Sequence, residues 1–134
     1  MNEDVGKKWI KQALHDLEMA EKNVAIKGYD IAAFLAHQSV EKLLKSIYAF
    51  EGKKIPKIHY IDELGKGLKI DKNILDEVID LTSDYIFSRY PDVGDQVPFE
   101  EYTENMAIIR VNKAKKIFKA LKERYKDEEI ENNG

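Results

Sequence analysis

Residues 30–51, DIAAFLAHQSVEKLLKSIYAFE, contain no Pro or Gly and are long enough for about six turns of α-helix. At about 100° per residue the stretch is apolar on nearly every side. Ala36, Val40, Leu43, Leu44, Ile47 and Phe50 form one broad face, and Ile31, Phe34, Leu35 and Ala49 lie on the other. One polar stripe is set into that second face: Gln38, Glu41, Lys42 and Lys45, at i, i+3, i+4, i+7. A helix apolar on most sides is a buried helix, and charges on it are costly unless paired. The stripe therefore admits four readings: a solvated strip, a salt-bridge lattice, a dimer seam or a pocket wall. As a solvated strip its i, i+4 pairs would contribute only a few tenths of a kcal/mol. Phe34, Leu35 and Ala49 beside it suit a self-associating face or a pocket wall better. Glu41 then calls for cationic partners, and Arg89 and Arg110 are the natural ones.

The rest of the chain reads as helices that enclose this one. Residues 3–27 place Trp9, Ile10, Ala13, Leu14, Leu17, Ala20 and Val24 on one face and Lys8, Lys11, His15, Glu18 and Lys22 on the other. Gly28 follows as a C′ residue and Asp30 as the next N-cap. So short a link makes the two helices antiparallel neighbours. After Gly52 comes a loop broken by Pro56, then a short helix in IDELGKGLKI limited to one or two turns by Gly65 and Gly67. Asp71 caps a further helix with Ile74, Leu75, Val78, Ile79, Thr82, Tyr85 and Ile86 on one face, ending near Ser88 before Pro91. The last helix is expected from Phe99 to Lys126, with Met106, Ala107, Ala114, Ile117, Phe118, Leu121 and Tyr125 on one face. Arg110 lies in the middle of that apolar face and so needs a buried charge partner. No strand pattern or repeat is present. The expectation is an all-α fold, an antiparallel up-and-down bundle of four long helices plus one short helix. Residues 1–126 form the single domain, and residues 127–134 an acidic tail that frays.

Charge and composition narrow the function. The net charge of −3 comes from interspersed signs, which argues against a general DNA-binding or membrane surface. No run approaches the roughly 18 apolar residues of a membrane span, and the N-terminal residues lack a signal-peptide core. A cytoplasmic location is expected. Without Cys there is no thiolate ligand or nucleophile. GxxxxGK[ST], GxGxxG and HExxH are all absent, and His15, His37 and His59 have no metal-ligand spacing. No cofactor or metal is expected. Arg89 and Tyr90, held where a helix stops before a Pro-fixed turn, suit a phosphate grip or a stacked base. Otherwise Tyr90 packs on the bundle and Arg89 pairs with a carboxylate such as Asp92.

Several of these residues together resemble the HEPN (higher eukaryotes and prokaryotes nucleotide-binding) domain family. They are the Tyr29-Asp30 entry, the Ala32-Ala33 run, Gln38-x-x-Glu41-Lys42-x-x-Lys45, Gly52 and His59-x-x-x-x-Leu64. Ser88-Arg89-Tyr90-Pro91-Asp92 is similar to the family's second recognisable site, and Asp16-Leu17 on the preceding helix also fits. The resemblance spans about residues 3–126. It implies an all-helical homodimer, frequently paired with a minimal nucleotidyltransferase as a toxin–antitoxin-type module.

Many HEPN proteins are metal-independent ribonucleases that use an Arg followed four to six residues later by His. This chain departs from that pattern. Its His residues at 15, 37 and 59 all precede its Arg residues at 89, 110 and 124, and Val93, Gly94 and Asp95 stand where that His would be. Losing a general acid–base worth about 10²–10⁴ in rate silences such chemistry. The expected protein is a non-catalytic, dimeric nucleotide- or partner-binding module. Gln38, Glu41, Lys42, Lys45, His59, Arg89 and Tyr90 are its candidate nucleotide-binding residues. The alternatives are a ribonuclease with a non-standard site built on His59 and Arg89, and a structural dimeric adaptor.

Overall fold

The computed structural model describes residues 3–84, 88–92 and 96–125, and all regular structure among them is helical. Among the described residues six helices follow in order: α1 (Glu3–Ala25), α2 (Tyr29–Phe50), α3 (Ile61–Gly67), α4 (Lys72–Leu81), α5 (Pro98–Glu101) and α6 (Glu104–Ala120). A 3₁₀ turn, Lys122–Arg124, follows α6. The expected Tyr85, Ile86 and Lys126, the loop positions 93–95 and the tail 127–134 fall outside the described residues.

α2 is the axis of the bundle. It packs along its length against α1 and, on its other side, against α6, while α3 and α4 close one end. Val40, Leu43, Leu44 and Ile47 are fully buried, with Ile10 and Ala13 of α1 and Ala114, Ile117 and Phe118 of α6 around them. A helix with partners on most sides must be apolar on most sides, which is the pattern residues 30–51 carry.

The α1–α2 turn differs from the expected one by a residue. Lys27, at φ 67°, is the left-handed residue. Its N–H reaches the Val24 carbonyl at 3.2 Å, and that of Gly28 reaches the Asn23 carbonyl at 2.7 Å. This is the paired hydrogen-bond pattern of a Schellman ending, so Lys27 is C′ and Gly28 is C″. Glycine is needed at 28 for space: a Cβ there would stand 2.8 Å from Asn23 Oδ1. Gly28 is also the N-cap of α2, which places Asp30 inside the first turn rather than at the cap. There its charge complements the helix dipole. At the far end α2 closes near Gly52, as expected, with Gly52 at φ 72°.

The later helices are shorter than their periodicity suggests. α4 stops at Leu81, where the Thr82 N–H bonds the Ile79 carbonyl three residues back and its Oγ1 bonds the Val78 carbonyl. A Thr that bonds the backbone locally competes with helix propagation. The buried line of this segment is Val78, Leu81 and Asp84, whereas Ile79 is 43% exposed. Ile74, Leu75 and Val78 of the expected face pack inward, and Ile79 departs from it, its place being taken by Leu81. The expected single last helix is two, because Tyr102 and Thr103 are extended. Thr103 caps α6 by accepting from the Met106 N–H at 3.2 Å, leaving Phe99 on the separate α5 and 71% exposed.

Candidate functional site

The polar stripe of α2 is divided between two neighbours. On one side Glu41 and Lys45 are both buried, with Lys45 Nζ 3.0 Å from Glu41 Oε2. The same Oε2 lies 3.0 Å from Nδ1 of His59, which the loop after Pro56 brings over the helix. His59 itself is more than half exposed, so one buried carboxylate joins a buried ammonium to an imidazole at the surface. Glu41 Oε1 is buried and has no hydrogen-bond partner among the described residues. On the other side Lys42 turns toward α1 and pairs with Asp16, which also accepts from Gln12 Nε2 at 2.9 Å. Asp16 is buried, so this pair fastens α1 to α2.

One turn before Gln38, on the same line of α2, stands Phe34. The Arg89 guanidinium lies 5.2 Å from the Phe34 ring centroid and 5.4 Å from that of Tyr90. Both distances are in the cation–π range. From Phe34 to Glu41 is seven residues, about 10 Å along a helix. Arg89 and His59 therefore stand about two turns apart on one edge of α2.

Arg110 is not part of this row. Its Nε donates to Asp84 Oδ2 at 3.0 Å, while Asp84 Oδ1 accepts from the Tyr102 hydroxyl at 2.6 Å. The expected Arg110–Glu41 pairing is thus replaced by Arg110–Asp84. Asp84 lies on the buried line of the segment after α4, facing α6, and supplies the acidic partner that Arg110 requires. Burial raises the Asp84 pKa, opposed by the hydrogen bond from Tyr102 and the nearby guanidinium. Burial also raises the pKa of Tyr102, helped by its bond to the Asp84 carboxylate. Asp84 has a second role: its backbone carbonyl accepts from both the N–H and the hydroxyl of Ser88. The residue preceding Arg89 is thereby tied to a buried ion pair.

A model of the HEPN domain matches residues 7–125. The chain belongs to the HEPN family. No curated protein matches it. Among solved structures, an archaeal HEPN homologue is 34% identical, with a TM-score of 0.75 over 90% of this chain and 98% of that one. A protein from Thermus thermophilus is 27% identical, with a TM-score of 0.83 over 92% of this chain and 99% of that one. A HEPN domain protein from Thermotoga maritima, at 22% identity, shares the fold, with a TM-score of 0.69 over 87% and 95% of the two chains.

In this HEPN chain, then, Gln38, Glu41 and His59 share one side of α2, Arg89 and Tyr90 adjoin its N-terminal half, and both lysines of the stripe reach α1, Lys42 at Asp16 and Lys45 at the Trp9 ring, 5.5 Å from its centroid. His37, one turn before Glu41, is fully buried, and its burial lowers the pKa to about 4 against a partly offsetting pull from Glu41. It is a neutral imidazole inside the bundle. Among the described residues no three His, Asp or Glu side chains are placed to hold a metal ion, and no helix is long and apolar enough to cross a membrane. Asp84 was missed from sequence. Its signal was its place at i+3 from Leu81, which extends the apolar line of α4.

Proposed function

We propose that this HEPN protein is a dimeric, cytoplasmic nucleotide-binding module that works beside a minimal nucleotidyltransferase, with its ligand along the α2 edge from Arg89 to Lys45. The observation that carries this reading is the placement of Arg89 against the Phe34 and Tyr90 rings. Stacking uses the flat face of a guanidinium, while the N–H fork lies in its plane, the edge that engages a phosphate bidentately. Tyr90 is 44% exposed and offers a ring to a base. Ile31 and Tyr60 are also exposed, and the row is bounded by apolar surface suited to a second copy of the chain. Isothermal calorimetry with ATP and other nucleotides tests the reading. Binding tighter than millimolar, weakened at least tenfold by Arg89→Ala, supports it. No heat, or an unchanged affinity in the variant, rejects it.

One observation favours a second reading, a metal-independent ribonuclease. The Glu41–His59 contact is a carboxylate–imidazole pair, the arrangement that fixes a histidine tautomer and orients a general base. The Arg-x4–6-His order of the HEPN ribonucleases is missing, so this site would run on His59 and Arg89 from separate segments. RNA cleavage in the presence of a chelator, abolished by His59→Ala, would select this reading over the binding module.

A further inference from the structure

Arg89 is exposed, yet the chain is anchored directly before it. Ser88 is buried and donates twice to one acceptor: its N–H reaches the Asp84 carbonyl at 3.3 Å, and its hydroxyl bonds the same oxygen. Asp84 is itself fixed by two groups, Arg110 Nε of α6 at 3.0 Å and the hydroxyl of Tyr102, just past α5, at 2.6 Å. Its side chain is only 1% exposed, so this anchor sits inside the bundle. On the far side of Arg89 the chain turns away, because Pro91 excludes the helical region for Tyr90.

The pose of Arg89 is sensitive to that anchor. Its guanidinium meets the Phe34 ring at 5.2 Å and the Tyr90 ring at 5.4 Å. At an exposed site such contacts favour the stacked pose by about 2–5-fold each, or about 5–30-fold together. Freezing the rotamers of an arginine opposes the pose by about 10–30-fold. The two nearly cancel, so occupancy of the pose depends on where the backbone sets the base of the side chain. Tyr90 is the next residue and moves with Arg89, whereas Phe34 belongs to α2. Cation–π attraction reaches to about 6 Å from a ring centroid, so the Phe34 contact has less than about 1 Å of slack. A serine hydroxyl bonded to the carbonyl four residues back bends the backbone locally. That bend sets the direction in which the next residue leaves.

We propose that Ser88 is the positioning residue of Arg89: through its two bonds to the Asp84 carbonyl, and the hold of Tyr102 and Arg110 on Asp84, it aligns the guanidinium with Phe34. This rests on the reading of Arg89 as the phosphate grip and adds the residues that aim it.

The test follows the Arg89 Nε–H resonance in the full-length, ligand-free protein, where the ring currents of Phe34 and Tyr90 displace it. Ser46→Ala is the control. The Ser46 hydroxyl makes the same kind of buried bond, to the Leu43 carbonyl at 2.6 Å, more than three turns along α2 from Phe34. In Ser88→Ala the resonance should lose most of its displacement from its position in the urea-unfolded chain. ATP affinity by calorimetry should fall about 5-fold or more, the equivalent of about 1 kcal/mol. Ser46→Ala should change neither. Tyr102→Phe removes one of the two anchors of Asp84, should move the resonance in the same direction, and keeps the test decisive if Ser88→Ala unfolds. An unmoved Arg89 resonance in folded Ser88→Ala overturns the proposal, as does an equal movement in Ser46→Ala. Unaltered ATP affinity beside a moved resonance also overturns it, since the anchor would then serve the fold alone. No heat from the unsubstituted chain at millimolar ATP rejects the nucleotide reading instead, and the resonance then decides the positioning role by itself.

Discussion

Replacing Glu41 by Gln keeps the shape of the side chain and one acceptor oxygen but removes the charge that Lys45 and His59 share. The ammonium of Lys45, whose side chain is only 6% exposed, would then face a neutral amide inside the bundle. Breaking a buried pair from one side costs about 3–5 kcal/mol. The retained acceptor places Glu41→Gln at the lower end, about 3 kcal/mol. Unfolding entropy of about 2.1 cal/mol/K per residue gives a chain of 134 residues about 0.3 kcal/mol per degree, so Tm should fall by about 10 °C. Lys45→Met should cost a similar amount, because it strands the carboxylate. The double variant should lose less than the sum, with a coupling of about 1.5 kcal/mol or more. Urea unfolding followed by far-ultraviolet circular dichroism measures all three. The exposed Glu18–Lys22 pair is an internal control, since both side chains are more than 60% exposed and Lys22→Met should cost under about 0.5 kcal/mol. If Glu41→Gln and Lys45→Met each cost under about 1 kcal/mol and add without coupling, the pair behaves as a solvated one and the reasoning fails.

Two further outcomes follow from the buried groups. His37 has its pKa lowered to about 4 by burial, against about 6.5 in an unfolded chain. Above pH 6.5 both states are neutral there. Between pH 6.5 and 4 the unfolded state binds a proton that the native state refuses, so stability should fall by up to about 1.4 kcal/mol per unit and about 3 kcal/mol in all. Unfolding free energy against pH should lose this component in His37→Gln, and an unchanged profile would contradict it. Asp84→Ala leaves Arg110 and the buried Tyr102 hydroxyl unpaired and should cost about 3–5 kcal/mol, whereas Tyr102→Phe should cost about 1 kcal/mol. Equal losses in the two variants by urea unfolding would refute the ranking.

The all-helical bundle and its central helix were legible from sequence because burial on most sides of α2 leaves a hydrophobic pattern with no competing interpretation. The polar stripe was located by the same periodicity, but its division was not. Four residues at helical spacing look like one group. Only the packing of α1 on one flank and the loop carrying His59 on the other sends Lys42 to Asp16 and Glu41 to Lys45 and His59. Arg110 announced that it needed a partner without saying which, because pairing across 26 residues leaves no periodic trace. The break at Tyr102 and Thr103 was obscured by apolar residues on both sides of it, though Thr103 followed by Glu104 is an N-cap and an acidic first-turn residue. Lys27 in the left-handed region is a side-chain exception at a position usually given to glycine, and it drew attention to Gly28 instead.

The central claim is that a nucleotide occupies the α2 edge between Arg89 and Lys45. Adding ATP to isotopically labelled protein and mapping the resonances that move tests it most directly. Saturable shifts are expected at Phe34, Gln38, Glu41, His59, Arg89 and Tyr90, with Arg89→Ala abolishing them. Shifts confined to the opposite groove between α1 and α6, at Val24, Ile108, Val111 and Lys115, would contradict it, as would no shift at millimolar ATP.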